Sequence, residues 1–444
     1  MARPRPCPSP CNVLLIGGGG REHALAWKLR QSPRLGTLWL TDPDNAALAR
    51  LGTPCPQKMD FTDRFHMKRW CEKNDIHLVV VGPEALLAKG IVDLLQSDTR
   101  MVFGPSQDAA RLESDKAFAK QIMRQAAVPS PEGRVFDRAE SAQVYLESRD
   151  EPLVVKATGL AAGKGVVVCD TAAEAMVAVD RIMVQREFGD AGDRIIIEQR
   201  VTGQELSVLA LVDGRNVWIL DPCQDHKQIG EGDTGPNTGG MGAYCPTPLV
   251  DDATMAIIER EILIPTIDAL RRQGIEYKGV LYAGLMLTLG GPKVLEFNCR
   301  FGDPETQPLM ARLKSDLIEV LWATCTGTIG EFEIEFDERT ACCVVMTAAG
   351  YPGPYAKGDP ITGIEDAEAL SDESKQVIVF HAGTKAGTDG GIVTNGGRVL
   401  GVTALAADLQ AARDLANAAC DRIHFPGAYF RRDIGDRVLQ PTDR

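Results

Sequence analysis

Between residues 12 and 105 short apolar runs alternate with stretches of helical period, and glycine marks several of the changes. "CNVLLIGGGGREHALAWKLRQ" reads as a strand, a glycine turn and a helix, and "LGTLWLTD" as a second strand. "FHMKRWCEKNDIHLVVVGPEALLAKGIVDLLQ" adds a helix, a buried strand over Leu78–Val81, a turn and another helix, and "RMVFGPS" closes with a short strand. Parallel neighbours need a crossover between them, usually a helix, so this alternation predicts a doubly wound parallel α/β unit over residues 12–110.

The remainder reads differently. "DAARLESDKAFAKQIMRQAA" is expected as one helix ending at Val128-Pro129. Two strands flank a glycine loop in "PLVVKATGLAAGKGVVVC", followed by a helix over about 172–185 and the strands "RIIIEQ" and "ELSVLALVDGRNVWIL". A helix over about 251–273 precedes paired strands in "YAGLMLTLGGPKVLEFN", joined by a Gly-Gly turn. This predicts a two-lobed α+β region over 111–330, its small lobe at about 129–197. A strand-rich C-terminal domain over 331–444 follows, with a helix near 406–420, and the Pro-rich residues 1–11 read as a flexible tail.

Three stretches invite chemistry. In "IGGGGREHA" the glycines Gly18, Gly19 and Gly20 let the backbone approach an anion at a helix start, with Arg21 and Glu22 following. The G-x-G-x-x-G fingerprint fails from either register, which favours a phosphate over a dinucleotide; a merely tight turn is the plain alternative. "VVKATGLAAGKGVVV" fails the P-loop spacing and joins two strands, so Gly163, Lys164 and Gly165 suit a phosphate-covering hairpin served by Lys156, or simply a solvated hairpin. In "KVLEFNCRFGDPETQ" strand alternation puts Val294, Glu296 and Asn298 on one face and Leu295 and Phe297 on the other. Glu296 and Asn298 are then about 7 Å apart. Two hard oxygen donors suit Mg²⁺, and the alternative is the polar face of an ordinary strand.

The longest puzzle is "DHKQIGEGDTGPNTGGMGAY", Asp225–Tyr244, with six glycines and neither helical nor strand period. A long unstructured stretch inside a compact domain is usually either functional or disordered.

Composition narrows the partners. With 444 residues and a net charge of −13 the chain is not expected to bind nucleic acid. Twelve cysteines lie scattered without C-x-x-C or zinc spacing, so free thiols in a reducing compartment are expected. No apolar stretch reaches the ~20 residues of a membrane helix, and the N-terminus lacks a signal peptide's apolar region. A soluble, cytoplasmic protein without a membrane partner follows as the expectation.

These stretches, in this order, resemble the ATP-grasp superfamily and within it the glycinamide ribonucleotide synthetase (phosphoribosylamine–glycine ligase) family. "QDHKQIGEGDTGPNTGGMGAY" and "LEFNCRFGDPETQ" carry the resemblance most specifically, supported by "GPSQDAARLESDKAFAK" and the late "FRRDIGDR". The resemblance implies a preATP-grasp domain, a two-lobed ATP-grasp region and a small C-terminal domain. ATP would lie between the lobes, with Mg²⁺ or Mn²⁺. By position Lys116 and Lys156 would contact phosphates under the Gly159–Gly165 cover. Glu198 would sit at the adenine-side hinge, Glu205 at the ribose, and Glu296 and Asn298 on the metal. Gly18–Glu22 and the Asp225–Gly242 loop, including His226, Thr238, Gly239 and Gly240, would hold 5-phosphoribosylamine. Arg300 with Asp303, Pro304 and Glu305 would line the acyl-phosphate and glycine side, and Arg300, Lys227 and Asp225 are the candidate catalytic groups. The loop is expected to deliver backbone amides and Lys227 to substrate anions. The implied reaction joins glycine to 5-phosphoribosylamine through glycyl phosphate, in a monomer or weak homodimer. A bicarbonate-using ATP-grasp enzyme would not need the long loop, and the broken fingerprint counts against a dehydrogenase. An inactive ATP-binding scaffold would not need to keep every phosphate and metal residue.

Overall fold

The computed structural model describes residues 5–56, 59–61, 63–161, 163–388 and 390–440. Its N-terminal sheet is wholly parallel. The strand order is Thr53–Pro54, Leu35–Leu40, Cys11–Ile16, Leu78–Val81 and Met101–Phe103, as the alternation predicts. Strands covered on both faces need unbroken apolar side chains, and Leu78–Val81 supplies "LVVV", every residue buried. The stretch read as a tail is docked from Arg5 onward: the Arg5 carbonyl accepts from Trp322 Nε1 at 2.9 Å, and Cys11 begins the central strand.

A four-stranded antiparallel sheet, Gly133–Phe136, Ile195–Gln199, Leu153–Ala157 and Val166–Cys169, has its own small core around Val155, Ile197 and Ala175. Facing it, Val217–Ile219, Gln204–Asp213, Lys278–Thr288 and Gly291–Asn298 form a second antiparallel sheet packed on the helix Lys116–Gln125. The expected single helix after residue 107 is two, Gln107–Ser114 and Lys116–Gln125. Asp115 breaks it by leaving helical geometry (φ −138°) and turning its carboxylate onto the amides of Ala117 and Phe118. That break places Lys116 in the first turn of a helix.

The Asp225–Tyr244 stretch is more ordered than its composition suggests. Gln228–Gly230 pairs with Thr234–Asn237 as a hairpin. The flanking strands Gln224–Asp225 and Gly242–Cys245 do not extend the second sheet; they continue the C-terminal sheet of Thr340–Thr347, Arg398–Ala406 and Gln376–His381. Among the described residues no helix is long and apolar enough to cross a membrane.

Candidate active site

Lys116, Lys156 and Glu198 converge on one cleft between the small-lobe sheet and the helix Lys116–Gln125; Leu112, Met123 and Phe297 supply apolar wall. Glu198 is the electrostatic centre: its two oxygens each meet a lysine at 2.7 Å, Lys120 from the helix and Lys156 from the neighbouring strand. Burial pushes the Glu198 carboxyl up, yet Lys156 and Lys120 together outweigh it and hold the group below the usual range. Burial lowers Lys116 and Lys120, the carboxylates around them opposing it. Lys164, in the glycine hairpin, is exposed, and Ala162 lies outside the described residues. A larger depression behind the same helix carries three arginines already engaged: Arg194 meets Asp115 at 3.1 Å, Arg111 stacks on the Phe118 ring at 4.0 Å, and Arg124 bonds the Gly133 carbonyl.

The strand Gly291–Asn298 departs from simple alternation. Glu296 lies opposite Gly284 while Val294 lies opposite Leu285, so Leu295 is an extra, bulged residue. Val294 therefore packs in the core with Phe297 and does not share the face of Glu296 and Asn298, correcting the period-two reading. The bulge also turns the Leu295 carbonyl to Lys156, which donates to it at 3.0 Å across the two lobes. Burial would raise Glu296, but Lys227, Lys116, Lys156 and Arg300 hold it below its usual value. A carboxylate kept ionised by four cations, with Asn298 two residues on, fits a hard divalent cation. Among the described residues no cluster of three or more acidic, histidine or cysteine side chains could hold a metal alone. Such a pair completes its shell with waters and substrate phosphate, as Mg²⁺ prefers.

Beyond the strand end, Arg300 is clamped by Glu113 at 3.2 Å and Glu84 at 3.7 Å and reaches Asn298 Oδ1 at 3.4 Å. Glu305 accepts from Tyr282 Oη at 2.6 Å and Ser207 Oγ at 3.2 Å. Lys227 lies 3.3 Å from Glu205, which is the main cause of its strongly raised pKa. Asp225 is raised to about 7: burial is the largest influence, Lys227 opposes it, and Glu305 and Glu205 add to it. A carboxyl poised near neutrality beside a lysine is a proton-handling group by type.

Several expected contacts turn inward. Gly19 N–H donates to Glu22 Oε2 at 2.7 Å and Gly17 N–H to Thr41 Oγ1 at 3.1 Å, while Arg21 donates to Glu22 at 2.7 Å and to the Phe301 carbonyl at 3.2 Å. An internal carboxylate thus takes one amide of the glycine turn, and the Arg21 cation faces it instead of standing free. Gly18 sits over Asp42, a Cβ there meeting it at 2.6 Å, and Gly20 sits against Gln307. The long loop spends its amides likewise: Thr238 N–H goes to the Lys227 carbonyl, Gly239 N–H to Tyr351 Oη, Gly240 N–H to Thr238 Oγ1 and Met241 N–H to the His226 carbonyl. The amides of Thr238, Gly239, Gly240 and Met241 therefore have internal partners, which corrects, for these four, the expectation that the loop delivers its backbone amides to substrate anions. His226 is buried, accepts from Gly435 N–H at 3.2 Å and is depressed to about 3 by burial, so its ring serves the loop's anchorage and does not line the cleft.

Sequence reasoning missed Lys120, Glu113, Tyr282, Tyr351 and Arg398, and gave "FRRDIGDR" no role although Arg431 and Arg437 bind the hairpin's Asp233. Only long-range pairing reveals these residues.

The comparisons with known proteins come to the same region. A model described as the phosphoribosylglycinamide synthetase ATP-grasp (A) domain matches residues 114–306, with the N domain of that family over 11–113 and the C domain over 341–437. The chain is similar to the phosphoribosylamine–glycine ligase of Rhodopirellula baltica, 50% identical over 443 residues, covering 98% of this chain and 100% of that one. The crystal structure of phosphoribosylamine–glycine ligase from Thermotoga maritima has a TM-score of 0.80 at 31% identity, covering 96% of this chain and 100% of that chain. The biotin carboxylase domain of Hydrogenobacter thermophilus 2-oxoglutarate carboxylase, solved with MgADP and bicarbonate, has a TM-score of 0.69 and covers 94% of this chain and 91% of that chain. At 15% identity it shares the fold alone.

Proposed function

The chain belongs to the phosphoribosylglycinamide synthetase family, and from that premise we propose how its cleft joins glycine to 5-phosphoribosylamine. It is an ATP-dependent ligase of de novo purine biosynthesis that works with a divalent metal. The overall reaction converts ATP, glycine and 5-phosphoribosylamine into ADP, phosphate and glycinamide ribonucleotide. A carboxylate resists an amine because oxide is too poor a leaving group. One glycine oxygen therefore first takes the γ-phosphoryl group, giving ADP and glycyl phosphate; the sugar amine attacks the acyl carbon, sheds a proton, and phosphate leaves.

The observation that carries this reading is that Lys116, Lys156 and Glu296 line one cleft, with Lys227 also favouring the ionised Glu296 carboxylate. The lysines offset charge on the transferring phosphoryl group and orient it, which is most of what this chemistry asks of a protein. Glu296 and Asn298 would hold Mg²⁺ or Mn²⁺, which supplies Lewis-acid neutralisation of phosphate charge. Glu198 sets the position of Lys156, Glu205 that of Lys227. Arg300, fixed by Glu113 and Glu84, faces the glycine carboxylate, with Asp303, Pro304 and Glu305 shaping that wall. Asp225, near neutrality, accepts the proton that the amine sheds. The Gly163–Gly165 hairpin covers the phosphates, keeping water from the acyl phosphate. The glycine turn and the loop hold the sugar phosphate through side chains and shape, their amides being partly spent. The protein is taken to act in the cytoplasm as a monomer or weak homodimer. The domain limits 12–110, 111–330 and 331–444 are proposed with one change: the strands Gln224–Asp225 and Gly242–Cys245 go to the C-terminal domain.

The test is ADP release with each component omitted in turn, the sugar amine being formed in situ from ribose 5-phosphate and ammonia. ADP that requires glycine, sugar amine and metal together supports the reading; ADP independent of glycine or the sugar amine overturns it.

A further inference from the structure

Side chains of the C-terminal domain hold the long loop at three points. At the first, Arg398 Nη1 donates to the Gly239 carbonyl at 2.7 Å and to the Asp303 carbonyl at 2.8 Å, while Nη2 meets the Asp303 carboxylate at 3.0 Å. Tyr351 Oη accepts the Gly239 amide at 3.0 Å. At the second, Arg431, almost wholly buried, donates to the Gln228 carbonyl at 3.0 Å, and Asp433 accepts the Gly232 amide at 2.8 Å. At the third, Arg437 reaches Asp233 at 2.7 Å and the Asp225 carbonyl at 3.2 Å.

Arg398 differs from the other two anchors. It ties the loop, on the sugar-phosphate side, to the strand end "FGDPE", on the glycine side. The contact leaves no slack: Gly240 adopts φ +116°, and a Cβ there would stand 2.5 Å from the Pro304 ring. One guanidinium satisfies two carbonyls and a carboxylate at once, a planar fork that a lysine's point charge cannot reproduce.

We propose that Arg398 is a positioning residue for the sugar-amine substrate, fixing the separation of Gly239 and Asp303 and thereby the mouth through which 5-phosphoribosylamine meets the acyl phosphate. The inference rests on the ligase reading. It separates two functions in space: ATP is served by the two lobes, the sugar amine by a loop held from the C-terminal domain.

The experiment compares wild type, Arg398→Lys and Tyr351→Phe. Arg398→Lys loses one or two charge-assisted bonds, so KM for 5-phosphoribosylamine should rise roughly ten- to hundredfold. KM for ATP and the directly measured ADP affinity should stay within about twofold, showing that the fold and cleft survive. Tyr351→Phe should give a smaller rise in the same KM. Amide exchange at Gly239–Met241 should quicken in both variants, a readout that needs no turnover. An unchanged sugar-amine KM, or equal rises for ATP and sugar amine, would overturn the positioning role while leaving the ligase reading intact. A wild type without glycine- and sugar-dependent ADP release would instead remove both.

Discussion

Replacing Glu198 by Gln tests the electrostatics of the cleft most severely. The carboxylate sits between two lysines at 2.7 Å, with side-chain exposures of 5% for Glu198, 2% for Lys120 and 8% for Lys156. Removing one partner of a buried pair leaves uncompensated charge and typically costs about 3–5 kcal/mol. Both lysines keep a carbonyl acceptor, Pro131 for Lys120 and Leu295 for Lys156, which argues for the lower half of that range. At about 1.4 kcal/mol per decade, amides of Leu153–Ala157 and Ile195–Gln199 should exchange roughly a hundredfold faster or more in the variant, if the small lobe opens as a unit. The pH dependence has a definite sign. Burial depresses Lys120 and Glu198 is the main influence opposing it, so without Glu198 its folded pKa falls further below the unfolded value. Between those values the unfolded chain binds the extra proton, and stability rises with pH. The deficit of Glu198→Gln should therefore be largest near pH 7 and shrink toward pH 10. Exchange within about threefold of wild type, or a deficit that does not change with pH, would refute the argument. Glu198→Leu combined with Lys120→Met should recover only the part of the loss due to Lys120, because Lys156 stays buried without its carboxylate.

Glu296→Ala should abolish ADP release in the coupled assay while leaving far-UV circular dichroism unchanged; normal turnover would remove it from the metal site. Asp225→Asn has two expected effects. Because the folded pKa of about 7 lies above the ordinary 3.8 of an aspartate, the native state keeps a proton through that window and loses stability as pH rises across it, so the Asn variant should unfold later than wild type at pH 8 and similarly near pH 4. Its kcat should fall by roughly 10²-fold or more, and the loss of activity expected of wild type below neutral pH should flatten in the variant. Gly240→Ala meets both a left-handed φ and the Pro304 ring, so it should weaken sugar-amine binding more than ATP binding, measured as a KM split.

Local pattern announced some of this site, and partners distant in sequence decided the rest. The parallel sheet was legible because buried parallel strands must be continuously apolar, and "LVVV" shows it without help from neighbours. Glu296 and Asn298 were legible as a pair, but Val294 was misassigned because a bulge is set by the partner strand: nothing in "KVLEFN" says that Leu285 and Gly284 will face Val294 and Glu296. The helix break at Asp115 has a local signature, Ser-Asp before Lys, which the continuous helical period concealed. The glycine-rich stretch reads as a deliverer of backbone amides, yet the amides of Gly239 and Gly240 are spent inside the protein. Glycines there permit close approach, but the groups approached are Pro304, Tyr351 and Arg398, not a ligand's oxygens. A glycine run states only that backbone comes near something, and the identity of that neighbour is a long-range fact. The same logic explains the silent arginines: Arg398, Arg431 and Arg437 sit in unremarkable local contexts, and each becomes meaningful only when the fold closes a long separation, 159 positions from Arg398 to Gly239, 203 from Arg431 to Gln228 and 212 from Arg437 to Asp225. Chemistry that needs exposed backbone can be read from composition; the frame that aims it is built from charges whose partners only the fold supplies.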